Sequence, residues 1–210
     1  MVQPDPSQPP HIPTALQNTG QTESESLGRV LRLEVVTDGH RIVGVTQRPT
    51  VARLVDLLNS TQEPALALAD VEVAPLEAQG EAPHCWPQAY IYKQAIAFVI
   101  PHEEQRDAVA TSRRPLEYVE KRPWPISALL PRFMVTGYIH LPPAADPANP
   151  SLFWKAGFVA LTNATAVFLP DPTTTWQAPI LIVNTARAEA YCPTPALADE
   201  QPTQIADAAG

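Results

Sequence analysis

The sequence has 210 residues, with 25 prolines, only 8 glycines and a formal net charge of −8. This length is enough for one domain, or two small ones, with a real hydrophobic core. Proline removes a backbone donor and clashes inside helices, so its frequent recurrence excludes coiled coils and bundles of long helices. The fold class that remains is mainly β, with proline at strand ends and in loops.

The negative charge is concentrated at the two ends of the chain. Residues 1–28 carry three acidic and no basic residues, and residues 194–210 do the same, which leaves a net charge of −2 for residues 29–193. Both ends are rich in Pro, Gln, Ser, Thr and Ala, and they lack the large apolar residues whose burial offsets the entropy of ordering. We therefore predict disordered tails at 1–28 and 194–210.

Residues 29–101 predict a first small β unit. Arg29 to Val36 and Arg41 to Gln47 alternate in polarity around Asp38-Gly39, which is the signature of a β-hairpin. Val51 to Asn59 has apolar residues at helical spacing over two turns, so we predict a short helix that Asn59 ends in a left-handed conformation. Two further strands are predicted, at Leu66 to Leu76 and Gln88 to Ile100.

A charged connection at residues 102–114 leads to a second predicted unit at residues 115–193. Prolines interrupt its beginning, so that short extended pieces are expected there. Leu152 to Gly157 stands in the place of the helix. The extended pieces and strands predicted for this unit are Leu116 to Glu120, Ile126 to Leu130, Arg132 to Leu141, Phe158 to Leu169 and Ile180 to Tyr191.

The two units resemble each other at a nearly constant spacing. Gly44 and Gly137 lie 93 positions apart, and the same offset places residues 65–73 on residues 158–166. An offset of 92 then places residues 90–96 on residues 182–188. Three segments in one order indicate a tandem duplication. Short strands joined by short turns would most economically form two small β-barrels or strongly curved antiparallel sheets, each with one short helix.

The order of these features resembles a known kind of protein. A strand, an Asp-Gly turn, a strand with Gly44, the helical segment 53–59, the run 65–70 and a strand closing near Ile96 resemble uncharacterised bacterial proteins with Sm-like small barrels. The segments 113–120 and 137–142 resemble proteins of unknown function from Chloroflexota-type bacteria. The resemblance covers most of residues 29–193 and implies a fold, together with RNA or DNA binding as a candidate activity.

Motifs for catalysis or cofactor binding are not found in the sequence. The histidines have no metal-ligand spacing, and His84-Cys85 lacks a second pair. No nucleophile elbow, phosphate-binding glycine loop or dinucleotide fingerprint is present. The close acidic pairs lie in the charged connection beside basic residues, which favours a solvated linker over an acid–base pair. We therefore predict a non-enzyme with no cofactor and no metal.

A protein–protein interaction or assembly module is the predicted function. The four tryptophans of the chain, at positions 86, 124, 154 and 176, lie beside proline or in loop-like segments. Aromatic residues in such places favour interfaces, but these side chains could equally cover the core. The predicted partner is another protein or a second copy of the chain. The alternative is Sm-like RNA or DNA binding through the basic segment 106–132, which the charge of the body disfavours. The candidate interaction surface comprises Arg113, Arg114, Tyr118, Lys121, Arg122 and Trp124.

Signals for export or membrane insertion are not found either. The N-terminal segment has no basic residue ahead of an apolar stretch, and no apolar run reaches the length of a membrane span. Two cysteines are too few for a disulfide scaffold. The expected location is the cytoplasm.

Overall fold

The computed structural model describes residues 29–48, 53–77, 80, 82–102, 121–146, 148–149 and 157–193. Within these ranges the chain forms ten strands and one α-helix. The first half contains β1 (Arg29–Thr37), β2 (His40–Arg48), α1 (Leu54–Asn59), β3 (Ala65–Pro75), β4 (His84–Tyr92) and β5 (Ile96–His102). The second half contains β6 (Arg122–Leu130), β7 (Phe133–Leu141), β8 (Phe158–Phe168), β9 (Thr175–Asn184) and β10 (Ala190–Pro193).

All ten strands belong to one antiparallel sheet. Their order is β10-β6-β7-β8-β9-β5-β1-β2-β3-β4, and the sheet does not close on itself. The prediction of a mainly β fold is therefore confirmed. Of the two predicted forms, small barrels or curved antiparallel sheets, the structure has an open sheet, in which β5 of the first half pairs with β9 of the second and joins the two halves. The predicted tails, at 1–28 and 194–210, lie outside the described residues.

The hairpin predicted at Asp38-Gly39 forms as expected. Val36 pairs with Arg41 on either side of the turn, and the Thr37 hydroxyl accepts a hydrogen bond from the backbone N–H of His40 at 3.1 Å. The N–H of Leu76 donates to the Gly39 carbonyl at 2.9 Å, which fixes the end of β3 against the turn. Local sequence signals are sufficient here because the contacts that make the hairpin are local.

The two halves repeat one another in strand register. Leu33 pairs with Gly44 in the first half, and the residues 93 positions later, Ile126 and Gly137, pair in the second. Between β3 and β4 the pairing of Val71 with Trp86 recurs between β8 and β9 at the corresponding offsets. The pairs Val36 with Phe98 and Leu129 with Ala190 are related in the same way. Below, the counterpart of a residue in β1 to β3 is the residue 93 positions later in the second half. The counterpart of a residue in β4 or β5 is the residue 92 positions later.

Each half also has the same irregularity where β2 or β7 meets its neighbour. Asp70 and its counterpart Asn163 are the non-glycine residues with positive φ among the described ones, at 50° and 47°. A Cβ on Gly44 would lie 3.1 Å from the Ala69 carbonyl oxygen, and a Cβ on Gly137 would lie 3.1 Å from the Ala164 Cβ. A bulge of this kind bends a strand and strengthens its twist, and glycine lets the neighbouring strand approach closely.

Two hydrophobic cores lie on opposite faces of the β5–β9 strand pair. Side chains that follow each other along a strand point to opposite faces of its sheet. Val99 and Ile182 accordingly belong to the first core, which lies against the first half and includes Leu54 and Leu58 of α1. Their neighbours Phe98 and Val183 belong to the second core, which lies against the second half. Each half therefore contributes residues to the core of the other.

Several element boundaries differ from the sequence-based predictions. The segments predicted as single strands at 88–100 and 180–191 are each divided by a 3₁₀ turn, at Lys93–Ala95 and Thr185–Arg187. β6 runs continuously through Pro123 and Pro125, because β10 pairs with it only from Ile126 to Leu129 and leaves those prolines on an unpaired side.

Asn59 does not end α1 in a left-handed conformation, since positive φ among the described non-glycine residues is confined to Asp70 and Asn163. Its side-chain amide instead pairs with the backbone of Phe158 in the other half, donating to the carbonyl at 2.9 Å and accepting from the N–H at 2.7 Å. The segment 152–156 that was expected to replace the helix lies outside the described residues.

Candidate protein interface

The structure describes three of the six residues predicted as an interaction surface. Lys121 and Arg122 are exposed at the beginning of β6, and Trp124 is half-buried against the second core. The indole Nε1 of Trp124 is buried without a hydrogen-bond partner. Its ring is thus part of the packing and does not form an open stacking platform. The other three, Arg113, Arg114 and Tyr118, lie outside the described residues.

Of the described tryptophans, two pack against the core and one is exposed. Trp176, like Trp124, is half-buried against the second core. Trp86 on β4 is about half exposed. Trp154 lies outside the described residues. Among the described tryptophans, Trp86 is therefore the one whose ring is placed to meet a partner.

The β4 edge carries an exposed aromatic row, formed by Trp86, Tyr90 and Tyr92. Tyr90 and Tyr92 alternate with Ala89 and Ile91, which point into the first core. Trp86 lies in the first part of the strand, where its neighbours Cys85 and Pro87 are exposed as well. β4 pairs with β3 on one side and is the last strand of the sheet on the other. Large apolar groups are thus presented beside a row of backbone N–H and C=O groups that no described strand pairs.

Tyr90 and Tyr92 were not predicted as interface residues, because the apolar strand that contains them has the residue pattern of a buried strand. A strand with apolar residues on both of its faces is typical of a buried strand. The signal that distinguishes them is the repeat, which makes Tyr90 the counterpart of Ile182 and Tyr92 the counterpart of Asn184. Both counterparts are buried beside β5. β4 therefore has the polarity of a central strand in the position of an edge strand.

A polar cluster centred on Glu34 joins the two halves near the β5–β9 junction. The carboxylate of Glu34 is buried and accepts from Arg41 Nε at 2.6 Å and from Trp176 Nε1 at 2.7 Å. His102 Nε2 lies 3.2 Å from its other oxygen. Burial alone would raise the pKa of Glu34. The pKa is nevertheless lowered, because the hydrogen bond and charge of Arg41 and the hydrogen bonds of Trp176 and His102 outweigh the effect of burial. Arg41 and His102 hold the carboxylate within the first half, and Trp176 is the partner that connects it to the second half.

Further polar contacts cross the same junction. Arg187 Nη1 donates to the Gln94 carbonyl at 2.8 Å, and Nη2 pairs with the Asp38 carboxylate. The buried amide of Asn184 donates to the carbonyls of Lys93 and Ile96 at 3.1 and 3.0 Å. These side chains donate to backbone carbonyls in and beside the 3₁₀ turn of the first half. Asp38 Oδ1 and Arg187 Nε are buried there without a hydrogen-bond partner, so the junction combines satisfied contacts with two unsatisfied atoms.

A cavity of about 430 Å³ lies beside β3, between α1 and the first hairpin. Its lining is mostly apolar, and the ionisable groups in it are Glu63 and Lys93. Lys93 Nζ donates to the carbonyls of Leu57 and Ser60, both at 2.8 Å, so its ammonium group caps the last turn of α1. Burial lowers the pKa of Lys93. The ammonium group of Lys93 is thus engaged with backbone carbonyls of α1 and the residue that follows it.

No group of three or more His, Cys, Asp or Glu side chains that could hold a metal occurs among the described residues. Cys85 and Cys192 are both free and exposed. In the same part of the chain, no helix has the length and apolar character needed to cross a membrane.

Comparison of the chain with protein families, with curated proteins and with solved structures finds no match in any of the three. The functional argument therefore depends on the residues and geometry of this chain.

Proposed function

We propose that the protein is a non-catalytic interaction or assembly module that binds protein through the edge of β4. The observation that carries the proposal is the exposed aromatic row of Trp86, Tyr90 and Tyr92 on an edge strand that Ala89 and Ile91 anchor in the first core. A rigid strand with exposed aromatic groups is suited to adding a strand from a partner, because main-chain hydrogen bonds and side-chain burial form together.

The composition of β4 supports this role. Exposed edge strands in proteins are usually guarded by charged residues, by proline or by a covering loop. β4 has no Lys, Arg, Asp or Glu, and its single proline, Pro87, lies before the Tyr90–Tyr92 segment. Since no described strand covers this apolar edge either, we take it as a surface that a partner covers.

Nucleic-acid binding remains the alternative proposal. Lys121 and Arg122 are exposed, as such binding requires, but the net charge of residues 29–193 is −2. Phosphate recognition normally depends on a stronger positive surface. The Sm-like resemblance that suggested this activity stays a prediction from sequence.

The test compares the full chain with the variant Tyr90→Glu, which introduces a charge on the exposed side of β4. We expect light scattering to give a mass above that of the monomer, or a defined protein to be retained from the native lysate, and we expect Tyr90→Glu to abolish whichever of the two occurs. The proposal would be contradicted if the wild-type chain were a strict monomer and retained the same proteins from the lysate as Tyr90→Glu does. Retention on a polyanion resin that falls steeply with salt would favour the nucleic-acid alternative.

A further inference from the structure

The two free edges of the sheet are the counterparts of the two strands that pair inside the chain. β4 and β10 are the outermost strands of the described sheet. β4 is the counterpart of β9, and β10 is the counterpart of β5. The internal junction is made by β5 with β9 through the pairs Phe98 with Val183 and Val99 with Ile182. The chain therefore presents at its ends the same two kinds of strand that it joins at its centre.

Residues on β4 are exposed where their counterparts on β9 are buried. Tyr90 is 64% exposed and its counterpart Ile182 is 3% exposed. Tyr92 is 61% exposed, against 3% for Asn184. Trp86 is also exposed, whereas its counterpart Ala178 is buried. On β9 the first half of the chain covers Ile182, which lies in the first core, and Asn184, which donates to Lys93 and Ile96. No described strand occupies the corresponding position beside β4.

The same contrast holds for β10. Phe98 and Ile100 of β5 are buried and belong to the core of the second half. Their counterparts Ala190 and Cys192 on β10 are exposed. At the positions where β5 inserts large side chains into the next half, β10 has smaller ones. No described residue covers them.

We infer that the partner of the β4 edge is the β10 edge of a second copy of this chain, paired in the register of the internal junction. That register places Ala190 opposite Ile91 and Tyr191 opposite Tyr90 of the other copy. The inference rests on the proposed function and specifies its partner. Tyr90 is then buried beside the half-buried Tyr191, as Ile182 is buried beside Val99.

The internal geometry determines that this contact is head-to-tail. The two cores lie on opposite faces of the β5–β9 pair, so the halves follow one another along the sheet. A contact between two different surfaces repeats from copy to copy, and the series ends only when it closes into a ring. Contact of β4 with β4 would instead be self-complementary and would stop at two copies.

Proline does not obstruct the proposed pairing. Pro87 and Pro193 lack the backbone N–H that a strand ladder uses. Their counterparts are Pro179 and Pro101, which occupy β9 and β5 outside the two residue pairs of the internal junction. The prolines therefore flank the segment that pairs and leave it free.

Two variants test the inference because each blocks one edge. Tyr90→Glu blocks β4 and leaves β10 intact, whereas Cys192→Glu blocks β10 and leaves β4 intact. Both residues are exposed, so each chain should fold, and circular dichroism checks this. Thr136→Glu, on the exposed face of the central strand β7, is the matched control.

Light scattering should show that wild type and Thr136→Glu form assemblies larger than two copies. Each edge variant alone should be a monomer, with an association constant lowered by about tenfold or more, because an unpaired carboxylate is buried. An equal mixture of the two edge variants should form a dimer and nothing larger. Association that requires β4 but is untouched by Cys192→Glu, or a mixture that stays monomeric, would overturn the inference and leave the proposed function standing.

A cross-link tests the register. In the Cys85→Ser background, Ala89→Cys places a thiol opposite Cys192 of the next copy, and Gln88→Cys moves that thiol to the other face. Oxidation with copper phenanthroline should give reducible multimers at least about tenfold more readily from the first variant than from the second. Equal cross-linking of the two would overturn the proposed register.

Discussion

Trp176 Nε1 donates a 2.7 Å hydrogen bond to Glu34 Oε1 across a sequence separation of 142 residues. The two residues belong to different halves, and their counterparts, His84 and Ser127, do not reproduce the pair. The contact is therefore particular to the internal junction and is not part of what the halves share.

Glu34→Gln should lower stability in a pH-dependent manner. Because the pKa of Glu34 is lowered in the folded state, its contribution is fully present above the ordinary value of 4.5 and is lost as the pH falls through the folded-state pKa. The variant should unfold with a free energy about 1–3 kcal/mol lower than wild type at neutral pH, with a smaller difference in acid. Denaturant titrations at several pH values measure this. Glu189→Gln, which changes an exposed carboxylate, is the control, and an equal loss at all pH values would refute the prediction.

Trp176→Phe should isolate the contribution of the indole N–H. The ring packs edge-on against Phe98 and Phe133, with centroids 5.4 and 5.9 Å away, and phenylalanine keeps much of that contact. Loss of the hydrogen bond to a carboxylate should cost about 1–2 kcal/mol. In the Glu34→Gln background the same substitution should cost less, and thermal unfolding of the four proteins gives this coupling. Additive losses would mean that the hydrogen bond contributes nothing.

Gly44→Ala and Gly137→Ala should be destabilising to a similar degree. In each case the new Cβ lies about 3.1 Å from atoms of the neighbouring strand, which must move to admit it. The expected loss is about 1–3 kcal/mol for each, because overpacking strains a closely packed sheet. Gly39→Ala is the matched control, since a Cβ there meets nothing within 4 Å. Equal stability of all three variants in chemical denaturation would show that the close approach is not required.

Asn59→Ala should weaken the attachment of α1 to β8. The amide makes two hydrogen bonds to the backbone of Phe158, and their loss leaves an N–H and a carbonyl unsatisfied at a cost of about 1–3 kcal/mol. Asn59→Asp keeps the acceptor and loses the donor, so exchange of the Phe158 amide hydrogen should quicken in the alanine variant more than in the aspartate variant. Unchanged exchange in both would contradict this role.

Local signals were enough to predict the hairpin and the mainly β class. Alternation around Asp38-Gly39 and the 93-residue repeat are readable because short-range contacts and matching positions determine them. The division of the segment 88–100 was not predictable in this way. The turn at Lys93–Ala95 contains no glycine or proline, and all five residues from Ile96 to Ile100 are buried, so neither a turn signal nor an alternation marks β5.

The candidate interface was harder to predict than the fold for a related reason. Tyr90 and Tyr92 have the residue types of a buried strand, and only the sheet order shows that β4 has a free side. Joining the halves through β5 and β9 is a long-range event that no local pattern encodes. The basic segment 106–132, in contrast, was predicted as an alternative interface because of its charge. The one aromatic residue described in it, Trp124, is half-buried against the second core.

The contacts of Glu34 with Trp176 and of Arg187 with Asp38 belong to the internal junction, and this has a thermodynamic consequence. Ala95 and Pro131 replace Arg187 and Asp38 at the counterpart positions, so the proposed contact between copies has no equivalent ion pair. Apolar association near room temperature is driven by entropy and weakens on cooling, whereas ion pairing weakens with salt. Copies held by the aromatic edge and main-chain hydrogen bonds, without an ion pair, should therefore associate more weakly in the cold and tolerate salt, while the two halves within each chain stay joined.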